Sequence, residues 1–391
     1  MQCTVSTQTV ALSGRHVLHH LLPHHRAVIT ANVRPRTWEV STLDYLTDVW
    51  YCSALSSEIA EKQLGRIICE KPLVLFRGRS GRVAVLEDRC AHRQAPLSIG
   101  AVVGDEIQCV YHGFVFDCDG ACTHVPRQDV VPATARITSY PAVERWGYVW
   151  VWIGPRDAAD PSTVPDLSWN EDKNRRPVYF HWQVNANHQL MADNLLDVSH
   201  TDFLHRNTIG STVAAKGGAE EPKVEMDSTI EGRRVHFKRR VRNTMLGPIS
   251  TRWAATSKPV DRTNTMMWEP PNTIHSILEL QNDETHHTIH LDHIMTPSTA
   301  DTMHYFMNWT RDFGIENTGY PTDENVWDEQ TMVVKGEDIP MVEAQQANLR
   351  RFGPVRNIAA RQDRGIIAVH RVLRELHGQS GQTVPPLLNV G

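Results

Sequence analysis

The chain has 391 residues, with 40 Lys and Arg against 45 Asp and Glu and a formal charge of −5, long enough for one large domain or two ordinary ones. That mild acidity is a poor basis for wrapping nucleic acid, no apolar run approaches the ~18 residues of a membrane span, and seven Cys in so long a chain make no disulfide scaffold. The 21 His and 11 Trp stand out; many His suggest metal without proving it.

Residues 1–43 are basic and His-rich, with His16, His19, His20, His24 and His25 close together. They lack an apolar segment followed by a small-residue cleavage site and read as a loosely packed extension. Residues 44–155 read as a small β domain. Leu73–Arg77 and Val83–Leu86 are short apolar runs around the turn Gly78-Arg79-Ser80-Gly81, the pattern of a hairpin. Ile107–Val110 and Tyr148–Trp152 are further strands, punctuated by Gly100, Gly104, Gly113 and Gly120. The Pro- and Asp-rich stretch Gly154–Pro161 reads as a linker, which leaves 156–391 as a second domain.

In that second part, Gln189–Arg206 has helical spacing. Ile230–Arg242 and Thr273–Ile294 alternate polar and apolar residues and read as strands of an antiparallel sheet. Lys216–Pro222 reads as a mobile loop. Met332–Arg351 reads as helix after Gly336, with Pro340 tolerated in its first turn. The fold class is α+β: an all-β domain, then an antiparallel sheet flanked by helices.

Two constellations carry chemistry. Cys90-x-His92 and Cys109-x2-His112 form the pattern C-x-H-x16-C-x2-H. Four such donors fit a tetrahedral zinc or a [2Fe–2S] cluster with two Cys on one iron and two His on the other. Zinc fingers favour pairs of one residue type, whereas each pair here is mixed, and two mixed loops suit a cluster whose irons face different directions. Cys118 and Cys122, close by in sequence, read as free thiols in or beside the core. The second constellation is Asp197-x2-His200-x4-His205. On a helix, Asp197 and His200 share a face; His205 lies five residues beyond His200, so the helix must end or distort for both rings to meet one ion. Two His and one carboxylate make a facial triad with open positions on Fe(II). Two His on a helix are, taken alone, more often a core or surface feature.

C-x-H and C-x2-H, with Arg93-x-Ala95-Pro96-Leu97 and Tyr111-His112-Gly113-x2-Phe116, resemble the Rieske domain of the Rieske non-haem iron oxygenases. Asn194, Asp197, His200 and His205 match the N-x2-D-x2-H-x4-H signature of that family. Glu337-Asp338-x4-Glu343-x-Gln345-Gln346 resembles a segment of its vanillate demethylase and dicamba monooxygenase branch, to which toluenesulfonate methyl-monooxygenase also belongs. The resemblance spans roughly residues 44–370. It implies that Cys90, His92, Cys109 and His112 hold the cluster, and that His200, His205 and Asp338 hold one mononuclear Fe(II), with Glu337 and Asp328 as rivals for the carboxylate. Asp197 becomes the acid linking the two centres, able to orient the ring N–H of His200; Asn194 stands beside it, and His293 matches a pocket histidine. The implied catalytic domain is helix-grip-like.

The implied protein is a cytoplasmic, homotrimeric terminal oxygenase that binds neither nucleic acid nor membrane, with His112 of one chain beside Asp197 of the next. Electrons would come from NAD(P)H through a separate flavin/[2Fe–2S] reductase or a ferredoxin, since no G-x-G-x-x-G follows a strand here. With O2 it would hydroxylate or O-demethylate an aromatic, acidic substrate. The alternative within the family is ring cis-dihydroxylation; outside it stand an electron carrier with an inactive catalytic domain and a zinc-stabilised binding module.

Overall fold

A computed structural model describes residues 45–60, 62–210, 224–353 and 358–379. The readings of residues 1–43 and of Lys216–Pro222 lie outside the described residues.

The first domain is built of short antiparallel strands. Val49–Leu55 pairs with Tyr148–Ile153, which also pairs with Ala142–Arg145. Leu64–Ile68, Lys71–Arg77, Val83–Glu87 and Ser139–Tyr140 form a second sheet, so the hairpin expected at Gly78–Gly81 is present. Ala101–Val103, Glu106–Gln108, Val115–Phe116 and Cys122–His124 form a third. Tyr148–Ile153 is buried at every position, which accounts for its unbroken apolar run: a strand covered on both faces has no polar side to alternate with.

The second domain is a seven-stranded antiparallel sheet in the order Arg176–Val184, Thr302–Arg311, His286–Thr299, Thr273–Gln281, Val260–Glu269, Arg234–Thr244, Val224–Glu231. Two segments read from alternation alone are hairpins: 230–242 turns at Gly232, and 273–294 turns between Gln281 and His286. Alternation assigns the two faces of the sheet. On one face Phe237, Met266, Trp268, Ile274, Met295, Tyr305 and Met307 pack with the helices α1 (His188–Leu196), α2 (Pro248–Ala254), α3 (Asp323–Val333), α4 (Ile339–Phe352) and α5 (Arg364–Gln379). On the other face Ile294 and Phe306 pack with Trp50, Tyr148 and Trp150 of the first domain. Tyr148 Oη donates to Asn308 Oδ1 at 3.0 Å and Thr296 Oγ1 to the Cys52 carbonyl at 2.7 Å across that junction. The sheet therefore has helices on one face and part of the first domain on the other.

The helical segments depart from expectation at two points. The helix read over Gln189–Arg206 ends at Leu196. Asp197 is non-helical (ψ 83°), and its carboxylate accepts from Ser199 N–H at 2.9 Å, opening a separate 3-10 turn over Val198–Asp202. A short acid that bonds the backbone two residues on competes with helix continuation. Asp197 and His200 thus do not share one α-helical face. The helix expected after Gly336 is α4, with Pro340 in its first turn; a further helix, α3, precedes it from Asp323, where Thr322 caps it by accepting from Asn325 N–H. Between α3 and α4 lies a π turn, Val334–Asp338, closed by Ile339 N–H to Val334 O. Pro340 has no N–H to give Gly336, so the backbone there cannot follow the regular i→i−4 pattern.

Candidate metal centres

The two Cys/His loops follow strands of different sheets, Val83–Glu87 and Glu106–Gln108, and repeat one turn. Cys90 N–H donates to Ala95 O at 2.8 Å and Gln94 N–H to Cys90 O at 2.9 Å; Cys109 N–H donates to Phe114 O at 2.8 Å and Gly113 N–H to Cys109 O at 2.9 Å. The fourth residue after each Cys is left-handed: Gln94 at φ 58° and Gly113 at φ 76°. The repeat buries both sulfurs, at 2% and 1% exposure, and leaves His92 and His112 at the surface. The two imidazoles face each other with centroids 4.6 Å apart; His92 stacks on Phe114 at 4.7 Å, and Tyr111 lies against His112. Burial pushes the Cys90 thiol up, and the facing Cys109 sulfur adds to that. Buried sulfurs beneath exposed imidazoles suit a two-iron cluster, sulfur on the inner iron and nitrogen on the outer. No three of these four donors come within 4.8 Å of one another, closer than which a single ion would draw them; among the described residues only His200, His205 and Asp338 do so. Cys118 and Cys122 are free and buried, as expected.

The second centre is assembled from distant segments. The Asp197 turn presents His200, and the following residues bring His205 inward, to 1% exposure. Asp202, at the end of the 3-10 turn, meets Arg239 on the helix-covered face of the sheet at 3.4 Å. The π turn supplies Asp338. Its Oδ1 lies 3.1 Å from His205 Nε2 and 3.5 Å from His200 Nε2, yet it is buried without a hydrogen bond of good geometry. Burial opposes its charge, but the two imidazoles outweigh that and hold the carboxyl at about 2. A buried, ionised oxygen facing two ring nitrogens is a donor set for a divalent cation with open positions, the pattern of non-haem Fe(II). The residues present fit that ion.

The other expected residues fall around this triad. Asp197 reaches His200 through its backbone carbonyl, 2.5 Å from Nδ1, rather than through its carboxylate, which caps the 3-10 turn; the expected orienting contact exists with a different atom. Asn194 sits on the last turn of α1 with a buried, unpartnered Oδ1. His293 is buried on the helix-covered face of the sheet, 2.7 Å from Tyr305 Oη, and burial lowers its pKa to about 4. Asp328 is exposed on α3 and takes no part in the triad. Glu337, weighed only as a rival ligand, instead meets the far side of the His205 ring: Oε2 is 2.7 Å from Nδ1 and 2.8 Å from Thr208 Oγ1. Nothing in the sequence pointed to Thr208. A second histidine held by two carboxylates, His275 between Glu269 at 2.8 Å and Asp292 at 3.1 Å, has no second imidazole beside those oxygens and serves to tie strands together.

Residues 49–141 match the Rieske [2Fe-2S] domain, and residues 184–379 match the vanillate O-demethylase oxygenase C-terminal domain. The chain is 32% identical to the iron–sulfur subunit of the toluene-4-sulfonate monooxygenase system of Comamonas testosteroni, over 87% of this chain and 100% of that one. It is 33% identical to the oxygenase component of dicamba O-demethylase of Stenotrophomonas maltophilia, over 77% of this chain and 88% of the relative. The crystal structure of dicamba monooxygenase bound to 3,6-dichlorosalicylic acid superposes with a TM-score of 0.79 at 29% identity, covering 86% of this chain and 98% of that one. A [2Fe–2S] cluster, a mononuclear non-haem iron and a separate source of electrons come with that kinship. The chain belongs to the Rieske non-haem iron oxygenases, in the vanillate O-demethylase branch, and is the oxygenase component of a monooxygenase system.

Proposed function

We propose that Cys90, His92, Cys109 and His112 hold the cluster, that His200, His205 and Asp338 hold the iron, and that the substrate is an aromatic acid. Residues 44–155 and 156–391 are the corresponding domains. The observation that carries the reading is the convergence of three donor atoms within 4.8 Å, beside the sheet face that bears His293 and Tyr305. When bound, the iron activates dioxygen and the cluster delivers electrons singly. Asp338 supplies the negative charge of the site, and the two rings direct Nε2 toward it while Nδ1 is held by the Asp197 carbonyl on one ring and the Glu337 carboxylate on the other. His293 and Tyr305 place neutral polar groups on an otherwise apolar face, next to Met295 and Met307, which suits an arene carrying a polar substituent. The relatives' names, toluene-4-sulfonate monooxygenase, dicamba O-demethylase and vanillate O-demethylase, support aromatic carboxylates or sulfonates as the class. Hydroxylation of an aryl methyl gives an alcohol; hydroxylation of a methoxy group releases formaldehyde.

Electron transfer in this reading runs between chains of a homotrimer, from His112 of one to Asp197 and His200 of the next. The seven-stranded sheet supports it: within one chain Trp50, Tyr148 and Trp150 of the first domain pack on the sheet face opposite the one that bears His293 and Tyr305. A reductase or ferredoxin completes the system; among the described residues no helix is long and apolar enough to cross a membrane.

A screen of aromatic carboxylates and sulfonates with NADH and a surrogate reductase tests the substrate class. One oxygen gained, or a methyl lost as formaldehyde, is the expected product. A product with two oxygens and two hydrogens added identifies cis-dihydroxylation, and no substrate-dependent turnover across the panel rejects the aromatic-acid reading.

A further inference from the structure

The sequence Glu337-Asp338 places two carboxylates side by side, and only one belongs to the triad. We propose that Glu337 is a positioning residue: its carboxylate fixes the His205 ring from behind, so that His205 meets the metal through Nε2 with raised basicity. This rests on the assignment of His200, His205 and Asp338 as the iron-holding triad.

The geometry is specific. A carboxylate only accepts hydrogen bonds, so at 2.7 Å it is His205 Nδ1 that carries the proton and Glu337 Oε2 that receives it. That leaves the Nε2 lone pair for the side where Asp338 Oδ1 lies, 3.1 Å away. Thr208 Oγ1 donates to the same Oε2 at 2.8 Å and holds the carboxylate in place. His205 is buried and Glu337 half-buried, with side-chain exposures of 2% and 22%, so the bond is partly shielded from water. Glu337 is therefore not a fourth ligand in this arrangement. Its oxygen sits on the opposite edge of the ring from the metal-facing nitrogen, and it is outside the group whose donor atoms converge.

The backbone explains how neighbours can do this. In a regular α-helix successive side chains diverge by about 100° around the axis, and adjacent residues do not reach two edges of one ring. Here both acids lie in the π turn Val334–Asp338. The wider turn lets Asp338 approach the Nε2 edge while Glu337 passes to the Nδ1 edge, and one imidazole is gripped from both ends. His200 has no such grip: its Nδ1 meets a neutral carbonyl, that of Asp197. The two imidazoles of the triad thus differ in donor strength, His205 being the more basic because its partner is charged.

The test is metal affinity, with the cluster as an internal control. The mononuclear metal is removed from the full-length protein with a chelator that leaves the cluster absorption intact, and Fe(II) or Co(II) is titrated back. Wild type, Glu337→Gln, Glu337→Ala, Thr208→Val and Asp338→Asn are compared. Glu337→Gln keeps shape but not charge, and is expected to bind Fe(II) about 10-fold more weakly; Glu337→Ala about 100-fold more weakly. Thr208→Val should lose less than about 10-fold. The Co(II) ligand-field bands of Glu337→Gln should stay at wild-type positions, because the ligands are unchanged, whereas those of Asp338→Asn should shift. Wild-type Fe(II) affinity in both Glu337 variants overturns the positioning role. Bands that shift in Glu337→Gln as they do in Asp338→Asn overturn it too, by making Glu337 a ligand. Wild-type affinity in Asp338→Asn instead overturns the triad beneath it, a failure seen in a different variant. Should Glu337→Ala not fold, Glu337→Gln decides alone: wild-type Fe(II) affinity in that variant overturns the positioning role.

Discussion

The two metal centres are built by opposite means. The proposed cluster donors lie between residues 90 and 112 and are set by two short loops that repeat one hydrogen-bonded turn. The proposed iron donors come from segments about 130 residues apart, joined only when a 3-10 turn and a π turn meet beneath the sheet. Local construction makes a centre whose geometry depends on few neighbours. Assembled construction makes one that depends on the packing of α1, α4 and the sheet, which Asn187 helps to fix: it caps α1 through Gln189 N–H and takes Gln346 Oε1 of α4 on its own N–H, each at 2.9 Å.

The largest expected effect separates the centres outright. Asp338→Asn should weaken mononuclear iron binding by more than about 100-fold, beyond the loss of any supporting contact, and abolish turnover while the visible absorption of the cluster persists. Cys109→Ser should do the reverse, losing the red-brown colour and labile sulfide while Co(II) still binds at the triad. Loss of both metals in either variant, read by elemental analysis, would show that the two centres are not independent.

A smaller effect sharpens the spatial side of the contrast. Co-expressing His112→Ala with Asp338→Ala chains under two affinity tags gives mixed oligomers in which each chain keeps one working centre. Partial recovery of activity is expected if electrons pass between chains. Confirmed mixed oligomers without turnover exclude that route and leave Asp197 with its local role at His200.

The smallest effects probe the repeated turn itself. Gly113→Ala places a Cβ 2.8 Å from Pro126 Cγ at φ 76°, and should cost about 1–2 kcal/mol from the left-handed backbone before the clash is counted. Gln94→Gly relieves the matching strain but frees the unfolded chain, so the net change should stay within about 0.5 kcal/mol. Thermal unfolding of the two variants checks both values; equal losses would mean that the loops are not equivalent.

This contrast also explains what could be read in the sequence. The cluster motif was legible because spacing within a loop is spacing in space. Asp197, His200 and His205 were legible as a group, but the helix supposed to carry them was not there: Asp197 bonds its own backbone and ends it. Asp338 was reached through family resemblance, since no periodicity connects it to His205. Glu337 was visible, yet its role depends on a π turn that Pro340 did not announce, a proline in that position being equally at home in the first turn of an α-helix. The start of α3 was available in Thr322 with Asp323 and Glu324 behind it, a cap followed by first-turn acids. The seven-stranded sheet emerged as strands but not as an order, because alternation gives faces and leaves pairing open.

The π turn has a genetic consequence. It amounts to one residue more than a regular helix would need between α3 and α4, so a single-codon deletion within 334–337 would turn Asp338 about 100° around the axis relative to α3 and is expected to take it away from the two histidines. Such an allele would keep every cluster residue and both iron histidines, and would differ from the parent by one in-frame triplet. Reading frame and identity score would both pass it as intact; only the count of residues between Thr322 and Asp338 would reveal a protein that can take up electrons and has nowhere to spend them.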